Sequence, residues 1–229
     1  LFRSSYSIKA ADFAIPNEFN RLISKYGGSG LNAGTGYDMT YYHNEFLPQF
    51  IEQWCWLNSE RLMNPVYRGF QGELENVYEE KNRSADGMGD AMEKVMGAVF
   101  KTQPYGYPII GSTESLKNPR LSDMADFYKK YYVASNMCLV LCGDIKPSDD
   151  LTALLEKTFG RVQTGPVPQR VYSPMPEIQA GVREEIVFPI PLIGVEALVF
   201  KGATDYEPDA NALELANGLL SNGKAGLLD

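Results

Sequence analysis

The stretch Asn32-Ala33-Gly34-Thr35-Gly36-Tyr37-Asp38-Met39-Thr40-Tyr41-Tyr42 lies within a segment, residues 31–46, that is rich in Gly, Thr and Tyr. Asp38 is the turn residue near its middle. Thr and aromatic residues on either side of a turn favour two extended strands. The segment therefore predicts a β-hairpin.

Helical patterns flank the hairpin on both sides. A short pattern beginning at Asn17 ends at Gly27-Gly28, where helices commonly stop. Apolar residues recur at helical spacing over residues 47–63, up to Asn64-Pro65. Later helices are predicted over residues 68–100 with a break at 86–89, and over 121–132, 148–159 and 209–220.

Extended segments are predicted between these helices. The apolar run Met137-Cys138-Leu139-Val140-Leu141 predicts a buried strand, and residues 182–200 predict one or two more. Helices and hairpins mixed in this order indicate an α+β fold, in which helices pack on one side of a mainly antiparallel sheet.

Composition limits the classes of function. The chain has 229 residues, a net charge of −8 and a pI near 4.8, which disfavours nucleic acid as a partner because phosphate binding needs clustered Lys and Arg. The most apolar stretch, residues 186–200, contains Pro189, Pro191 and Glu196, so no membrane span is predicted and the chain is expected to be soluble. The compartment is left open.

The three cysteines, Cys55, Cys138 and Cys142, form no Cys-x-x-Cys pair. They therefore indicate neither a disulfide framework nor a structural zinc cluster. Cys138 and Cys142 fall in or beside an apolar run, which favours buried, unreactive thiols.

An acidic segment, Glu73-Leu74-Glu75-Asn76-Val77-Tyr78-Glu79-Glu80, lies in the long helical region. Seven residues are close to two helical turns, so Glu73 and Glu80 share one face, while Glu79 lies about 100° away from Glu80. Two stacked carboxylates suit a metal site. The chain has a single histidine, His43, and cannot complete a zinc shell from these residues alone.

Together these motifs resemble the insulinase/pitrilysin zinc peptidases, which include the mitochondrial processing peptidases. The segment from Asn32 to Tyr42 resembles the substrate-binding edge strand and following strand of that family. Its downstream pattern is matched, in order, by Gln103-Pro104-Tyr105-Gly106-Tyr107-Pro108-Ile109-Ile110-Gly111, Phe127-Tyr128, Tyr131-Tyr132, Asn136-Met137 and Gly143-Asp144.

The resemblance implies a zinc-dependent metalloendopeptidase in the parent protein. It implies that Glu80 is a zinc ligand, that Glu73 is a supporting carboxylate, and that the backbone of Asn32 and Ala33 binds extended substrate. The other two zinc ligands belong to a His-x-x-Glu-His helix, which the family places upstream. That motif is absent from this chain, so the resemblance implies a fragment that begins just after it and is expected to be inactive alone.

The same resemblance implies how the parent is organised. Residues 1–229 are expected to be a single domain, most of the N-terminal metal-bearing peptidase domain, truncated at both ends and with the processing-peptidase-like or LuxS-like fold. Expected partners are a peptide or unfolded protein substrate and a second homologous domain or subunit. Exposed sheet edges also predict self-association of the fragment.

Other interpretations stay open. The acidic residues suit a solvated helix face, Asn32 and Ala33 suit ordinary hairpin positions, and a lone histidine such as His43 is usually structural. The parent is alternatively a non-catalytic, substrate-enclosing subunit of the same family. A third alternative is a metal-independent peptide-binding module that uses the Asn32-Ala33 edge.

Overall fold

The structure, a computed structural model, describes residues 15, 17–67, 69–85, 88–171, 173, 183, 185–187, 196 and 198–228. Within these residues it contains eight α-helices and one two-stranded antiparallel sheet. The strands are β1 (Ser29–Thr35) and β2 (Thr40–Glu45). The helices are α1 (Glu18–Lys25), α2 (Ile51–Met63), α3 (Phe70–Ala85), α4 (Met88–Val99), α5 (Thr113–Lys117), α6 (Leu121–Tyr131), α7 (Asp149–Thr158) and α8 (Ala210–Leu220).

The predicted hairpin is present. Asn32 lies opposite His43, Ala33 opposite Tyr42, Gly34 opposite Tyr41 and Thr35 opposite Thr40. The register shifts between Ser29 and Asn32, which marks a bulge at the start of β1. The turn closes where the Gly36 N–H donates to the Met39 carbonyl at 2.8 Å.

The predicted helices are also confirmed, to within a few residues at their ends. The region 68–100 is divided into α3 and α4, as the glycines near residue 87 predict. Helix α7 begins after Ser148, whose hydroxyl accepts the Leu151 N–H at 3.2 Å and caps the helix. The Ser148 hydroxyl therefore marks the start of α7, whereas Asn17 makes no side-chain capping bond at the start of α1.

Part of the core lies where α2 packs against α7. Cys55, Ser59 and Thr158 are fully buried there, and burial raises the pKa of the Cys55 thiol to about 11. Arg161 closes this contact by stacking its guanidinium 4.4 Å from the Trp56 ring centroid. At the base of the hairpin, Phe46 stacks on Trp54 with ring centroids 4.8 Å apart. These contacts hold the hairpin against α2.

The prediction of a buried strand at residues 137–141 is wrong for this structure. The structure assigns no strand there, the described residues give the segment no sheet partner, and Val140 is 76% exposed. Cys138 and Cys142 are also exposed, so the prediction of buried thiols is wrong for both. An apolar run becomes a buried strand only when other strands complete its hydrogen bonds.

The sheet is therefore smaller than the sequence predicts. The strands predicted over residues 182–200 fall largely outside the described residues. What the structure shows is a mainly helical chain with one small antiparallel sheet. Among the described helices, none has the length and apolar character needed to cross a membrane.

Candidate functional site

Strand β1 has one edge that β2 does not cover. Residues opposite each other in an antiparallel pair alternate between hydrogen-bonded and non-bonded pairs. The Gly36–Met39 bond fixes this alternation, so Asn32 and Gly34 direct their backbone groups toward β2. Ala33 lies between them and directs its N–H and C=O to the open edge.

The side chain of Asn32 occupies this edge. Its Oδ1 accepts the Ala33 N–H at 2.8 Å, which confirms that this N–H points away from β2. The bond satisfies a backbone donor that the sheet, as far as it is described, leaves without a partner strand. The two residues predicted to bind substrate thus already interact with each other.

The two faces of the hairpin differ. On the inner face, Tyr42 contacts α2 and the end of α6. The Arg61 guanidinium lies 5.0 Å from the centroid of the Tyr42 ring, and the hydroxyl oxygens of Tyr42 and Tyr132 lie 2.7 Å apart. On the outer face, the rings of Tyr41 and His43 stack 5.8 Å apart. His43 is exposed there and lies opposite Asn32.

The Tyr41 ring lies across Gly34. A Cβ atom added at Gly34 would come within 2.5 Å of both Cζ and Oη of Tyr41. The far end of the ring therefore reaches over β1, the strand that carries the open edge. A side chain at position 34 would have to displace the end of the Tyr41 ring.

A wide, open groove adjoins the hairpin. Its volume is about 2800 Å³. The hairpin, the segment 137–142 and residues of α2 and α6 line it. Asn32, Ala33 and Glu73 all lie on its wall, whereas Glu80 is not among the lining residues.

Helix α3 presents the predicted carboxylates to solvent. Glu73 accepts a hydrogen bond from Asn76 Nδ2 at 3.0 Å, and Glu79 pairs with Arg83 at 3.3 Å. Glu80 is exposed. The structure therefore places Glu73, but not Glu80, in the same groove as the hairpin edge.

The orientation of α3 is set by a buried lysine. Lys81 is 7% exposed, and its Nζ lies 2.5 Å from Glu93 Oε2 on α4. Residues 73 and 80 lie about 80–100° around the helix from residue 81. Packing of Lys81 against α4 thus turns the face that carries Glu73 and Glu80 away from α4.

Two groups of long-range contacts hold the hairpin in place and could not be predicted from local sequence patterns. At the turn, Asp38 accepts hydrogen bonds from the Tyr105 hydroxyl at 2.9 Å and from Arg170 Nη1 at 3.1 Å. Arg170 Nη2 also donates to the Asp38 carbonyl at 3.1 Å. These residues hold the tip of the hairpin against two distant loops.

The second group of contacts involves tyrosines. Tyr128 and Tyr132 stack with ring centroids 4.2 Å apart, and Tyr132 shares a hydrogen bond with Tyr42. Burial raises the pKa of Tyr128 to about 12, with a smaller contribution from Tyr42. Burial and the Tyr42 hydrogen bond likewise raise the pKa of Tyr132. Both side chains are therefore neutral well above pH 7.

The described residues do not form a zinc site by themselves. No three of their His, Cys, Asp or Glu side chains are grouped closely enough to hold a metal ion. A catalytic zinc usually needs three protein ligands, and the described part of the chain places no such group around Glu80. No chemical step through zinc can be built from these residues.

Comparisons with known proteins give the family context. Residues 120–228 match the family model described as the peptidase M16 inactive domain. This match begins downstream of the hairpin and of α3, so it includes none of Asn32, Ala33, Glu73 and Glu80.

Curated relatives are similar over more of the chain. The zinc protease PqqE of Helicobacter pylori is 26% identical over 238 residues, which cover 99% of this chain and 51% of the relative. The mitochondrial-processing peptidase subunit beta of Caenorhabditis elegans is 25% identical over 201 residues, 84% of this chain and 42% of the relative. The chain thus spans about half the length of these relatives or less.

Solved structures show the same fold. The ferredoxin protease FusC, crystallised in complex with Arabidopsis ferredoxin, matches with a TM-score of 0.60 and 23% identity. The match covers 74% of this chain and 21% of that protein.

Proposed function

The chain belongs to the M16, insulinase-like family of peptidases, and on that premise we propose that it supplies the substrate-binding edge of a zinc-dependent metalloendopeptidase. The observation that supports this best is the orientation of Ala33. Its N–H and C=O point to the open edge of β1, on the wall of a wide groove. An extended peptide binds such an edge as an added strand.

Binding of a peptide requires one local exchange. The Ala33 N–H leaves Asn32 Oδ1 and donates to a carbonyl of the peptide, while the Ala33 carbonyl accepts a peptide N–H. One hydrogen bond is thereby replaced by two, and the Asn32 carboxamide is freed to contact the peptide. Affinity from main-chain bonds suits a peptidase because it does not depend on the side chains of the substrate.

The size of the groove supports a polypeptide ligand. Pockets for small molecules typically have volumes of about 300–1,000 Å³. The groove of about 2800 Å³ is larger and open, and the hairpin edge runs along its wall. A peptide or an unfolded segment of a protein is therefore the substrate class that we propose.

In the intact protein we assign Glu80 as a zinc ligand and Glu73 as its supporting carboxylate. The remaining ligands come from outside the described residues. A second homologous domain or subunit is the proposed partner that completes the substrate chamber. For the intact protein we propose the processing-peptidase-like or LuxS-like fold, in which helices pack on one side of a mainly antiparallel sheet.

Peptide binding to the chain tests the role of the edge. The probe is a capped heptapeptide, Thr-Ser-Thr-Phe-Thr-Ser-Thr, titrated into ¹⁵N-labelled protein. We expect the Ala33 amide resonance to shift more than those of Asn32 and Gly34. The A33P variant lacks this N–H but keeps the ladder to β2, so it should weaken binding by about fivefold or more.

A matched control separates binding from folding. G34P removes an N–H that points toward β2, so it should disrupt the hairpin itself, seen as loss of the Gly36–Met39 hydrogen bond. Binding by A33P as tight as that of the unmodified chain would contradict the proposed edge.

The zinc assignment is tested in the full-length protein. Zinc content and peptidase activity are compared between E80Q and E79Q, which remove neighbouring carboxylates on different faces of α3. Loss of both in E80Q alone supports Glu80 as the ligand. Equal loss in the two variants, or none in E80Q, contradicts it.

A second function has specific support. The family model that matches residues 120–228 is named for an inactive domain, and the described residues hold no group of three metal ligands. A non-catalytic subunit that binds and encloses substrate fits these observations. Retained peptide binding at Ala33, with no zinc bound by the full-length protein, would favour it over the peptidase.

A further inference from the structure

The outer face of the hairpin carries an exposed tyrosine whose ring reaches the strand at the open edge. Tyr41 is 50% exposed, and its Cζ and Oη lie 2.5 Å from the position that a Cβ atom of Gly34 would occupy. Tyr41 belongs to β2, yet the end of its side chain lies over β1. A strand added at the edge of β1 would therefore meet the ring of a residue two strands away.

The geometry of an added strand fixes which side chain meets the ring. Because Ala33 faces the open edge with both backbone groups, an antiparallel peptide pairs with it through two hydrogen bonds. The peptide residue opposite Gly34 is then in a non-bonded pair, in which the two Cβ positions are about 4.5–5.5 Å apart. Its side chain projects to the outer face, as Tyr41 does.

These distances bring the two side chains into contact. The Tyr41 ring end lies 2.5 Å from the Gly34 Cβ position, and the peptide Cβ lies about 5 Å from that position. An alanine methyl group at this site would touch the ring at most at its rim. An aromatic side chain would reach it fully and adopt the usual offset or edge-to-face arrangement.

Resting on the function proposed above, we propose that Tyr41 determines specificity by forming a subsite for an aromatic side chain on the residue opposite Gly34. Gly34 is part of the same subsite, because the absence of a side chain at this position leaves space for the end of the Tyr41 ring. The His43 ring stacks on the Tyr41 ring with centroids 5.8 Å apart and restrains it. The main-chain hydrogen bonds at the β1 edge do not depend on the sequence of the peptide, so the Tyr41 ring supplies the selectivity for particular peptides.

Two capped heptapeptides measure the preference: Thr-Ser-Thr-Phe-Thr-Ser-Thr, and the same peptide with Ala in place of Phe. For the unmodified chain we expect the Phe peptide to bind roughly two- to tenfold more tightly, the range for an aromatic pair. Y41F keeps the ring and should keep the preference. Y41A should bind both peptides equally.

A second variant tests the subsite without removing the ring. In G34A the added methyl group displaces the end of the Tyr41 side chain, so the preference should fall while the Ala peptide still binds. Y107A is the matched control, because Tyr107 is 67% exposed and lies outside the groove. It should retain the full preference.

The outcomes distinguish this inference from the function on which it rests. If neither peptide shifts the Ala33 amide, the proposed binding edge is wrong. If both peptides bind at Ala33 with equal affinity, or if the preference for Phe persists in Y41A, the edge stands and the Tyr41 subsite is wrong.

Discussion

The hydroxyl oxygens of Tyr42 and Tyr132 lie 2.7 Å apart and join the hairpin to the end of α6 across 90 positions of sequence. Tyr42 also lies under the Arg61 guanidinium, so it links the hairpin to α2 as well. The position of the β1 edge relative to the helices therefore depends on this residue.

Removing one hydroxyl should weaken this link. We expect Y42F and Y132F each to lower the free energy of unfolding by about 1 kcal/mol, the usual net value of one hydrogen bond. Because both lose the same bond, the double variant should cost little more than either single one. Urea denaturation of the four proteins measures this, with Y107F as an exposed control. Additive losses would show that the two hydroxyls act independently.

The free energy of unfolding should fall at alkaline pH because Tyr128 and Tyr132 ionise there. The pKa of Tyr128 is raised from 10 to about 12, and that of Tyr132 is raised too, by burial in both cases. The stabilising contribution of Tyr128 is complete below pH 10, the pKa in the unfolded chain, and is lost as the pH rises through 12; Tyr132 acts in the same direction. Urea denaturation between pH 8 and 12 measures the slope.

The Y128F variant supplies the comparison for this pH dependence. It cannot ionise at this position, so its stability should decline less steeply above pH 10. Y206F removes a tyrosine that is 99% exposed and should leave the slope unchanged. A slope in Y128F as steep as in the unmodified chain would rule out the assigned role.

The pairing of Lys81 with Glu93 should contribute to stability. E93A leaves a lysine that is 7% exposed without this carboxylate. Breaking a buried pair costs about 3–5 kcal/mol, and because Glu93 is partly exposed we expect about 2 kcal/mol. The comparison is E79A, which removes an exposed partner of Arg83 and should cost less than about 1 kcal/mol. Equal losses in thermal or urea unfolding would contradict the distinction.

The contact of Arg170 with Asp38 should restrain the hairpin tip. R170Q removes the ion pair and weakens the bond to the Asp38 carbonyl. We expect the Gly36 amide, which closes the turn, to exchange its hydrogen about three- to tenfold faster. R120Q, which breaks an ion pair at the start of α6, serves as the control. Unchanged exchange at Gly36 would mean that the turn closes without this anchor.

Local patterns predict the local parts of this structure well. The hairpin turn at Asp38, the cap at Ser148 and the helix end near Asn64 all depend on residues a few positions apart. The segment 137–141 could not be predicted in the same way, because a strand is defined by partners elsewhere in the chain. Its apolar side chains indicate burial, but burial also requires something to cover them.

The candidate site also has features that the local sequence predicts and features that depend on tertiary packing. The shared face of Glu73 and Glu80 follows from helical periodicity, and the two residues do lie on one described helix. The exposed position of Glu80 outside the groove does not follow, since it depends on how Lys81 packs against α4. Nor could the sequence predict that Tyr41 covers Gly34, because hairpin register and rotamer decide that contact.

The bond between Asn32 and Ala33 has a consequence for how such an edge survives in a crowded cell. An unprotected strand edge pairs readily with any exposed strand, including one from an identical molecule. If Ala33 binds substrate as we propose, a poorly aligned strand would gain too little to displace the Asn32 carboxamide, whereas a well-aligned peptide would exchange one hydrogen bond for two. The Asn32 side chain thus limits non-specific strand pairing at the β1 edge while leaving that edge accessible.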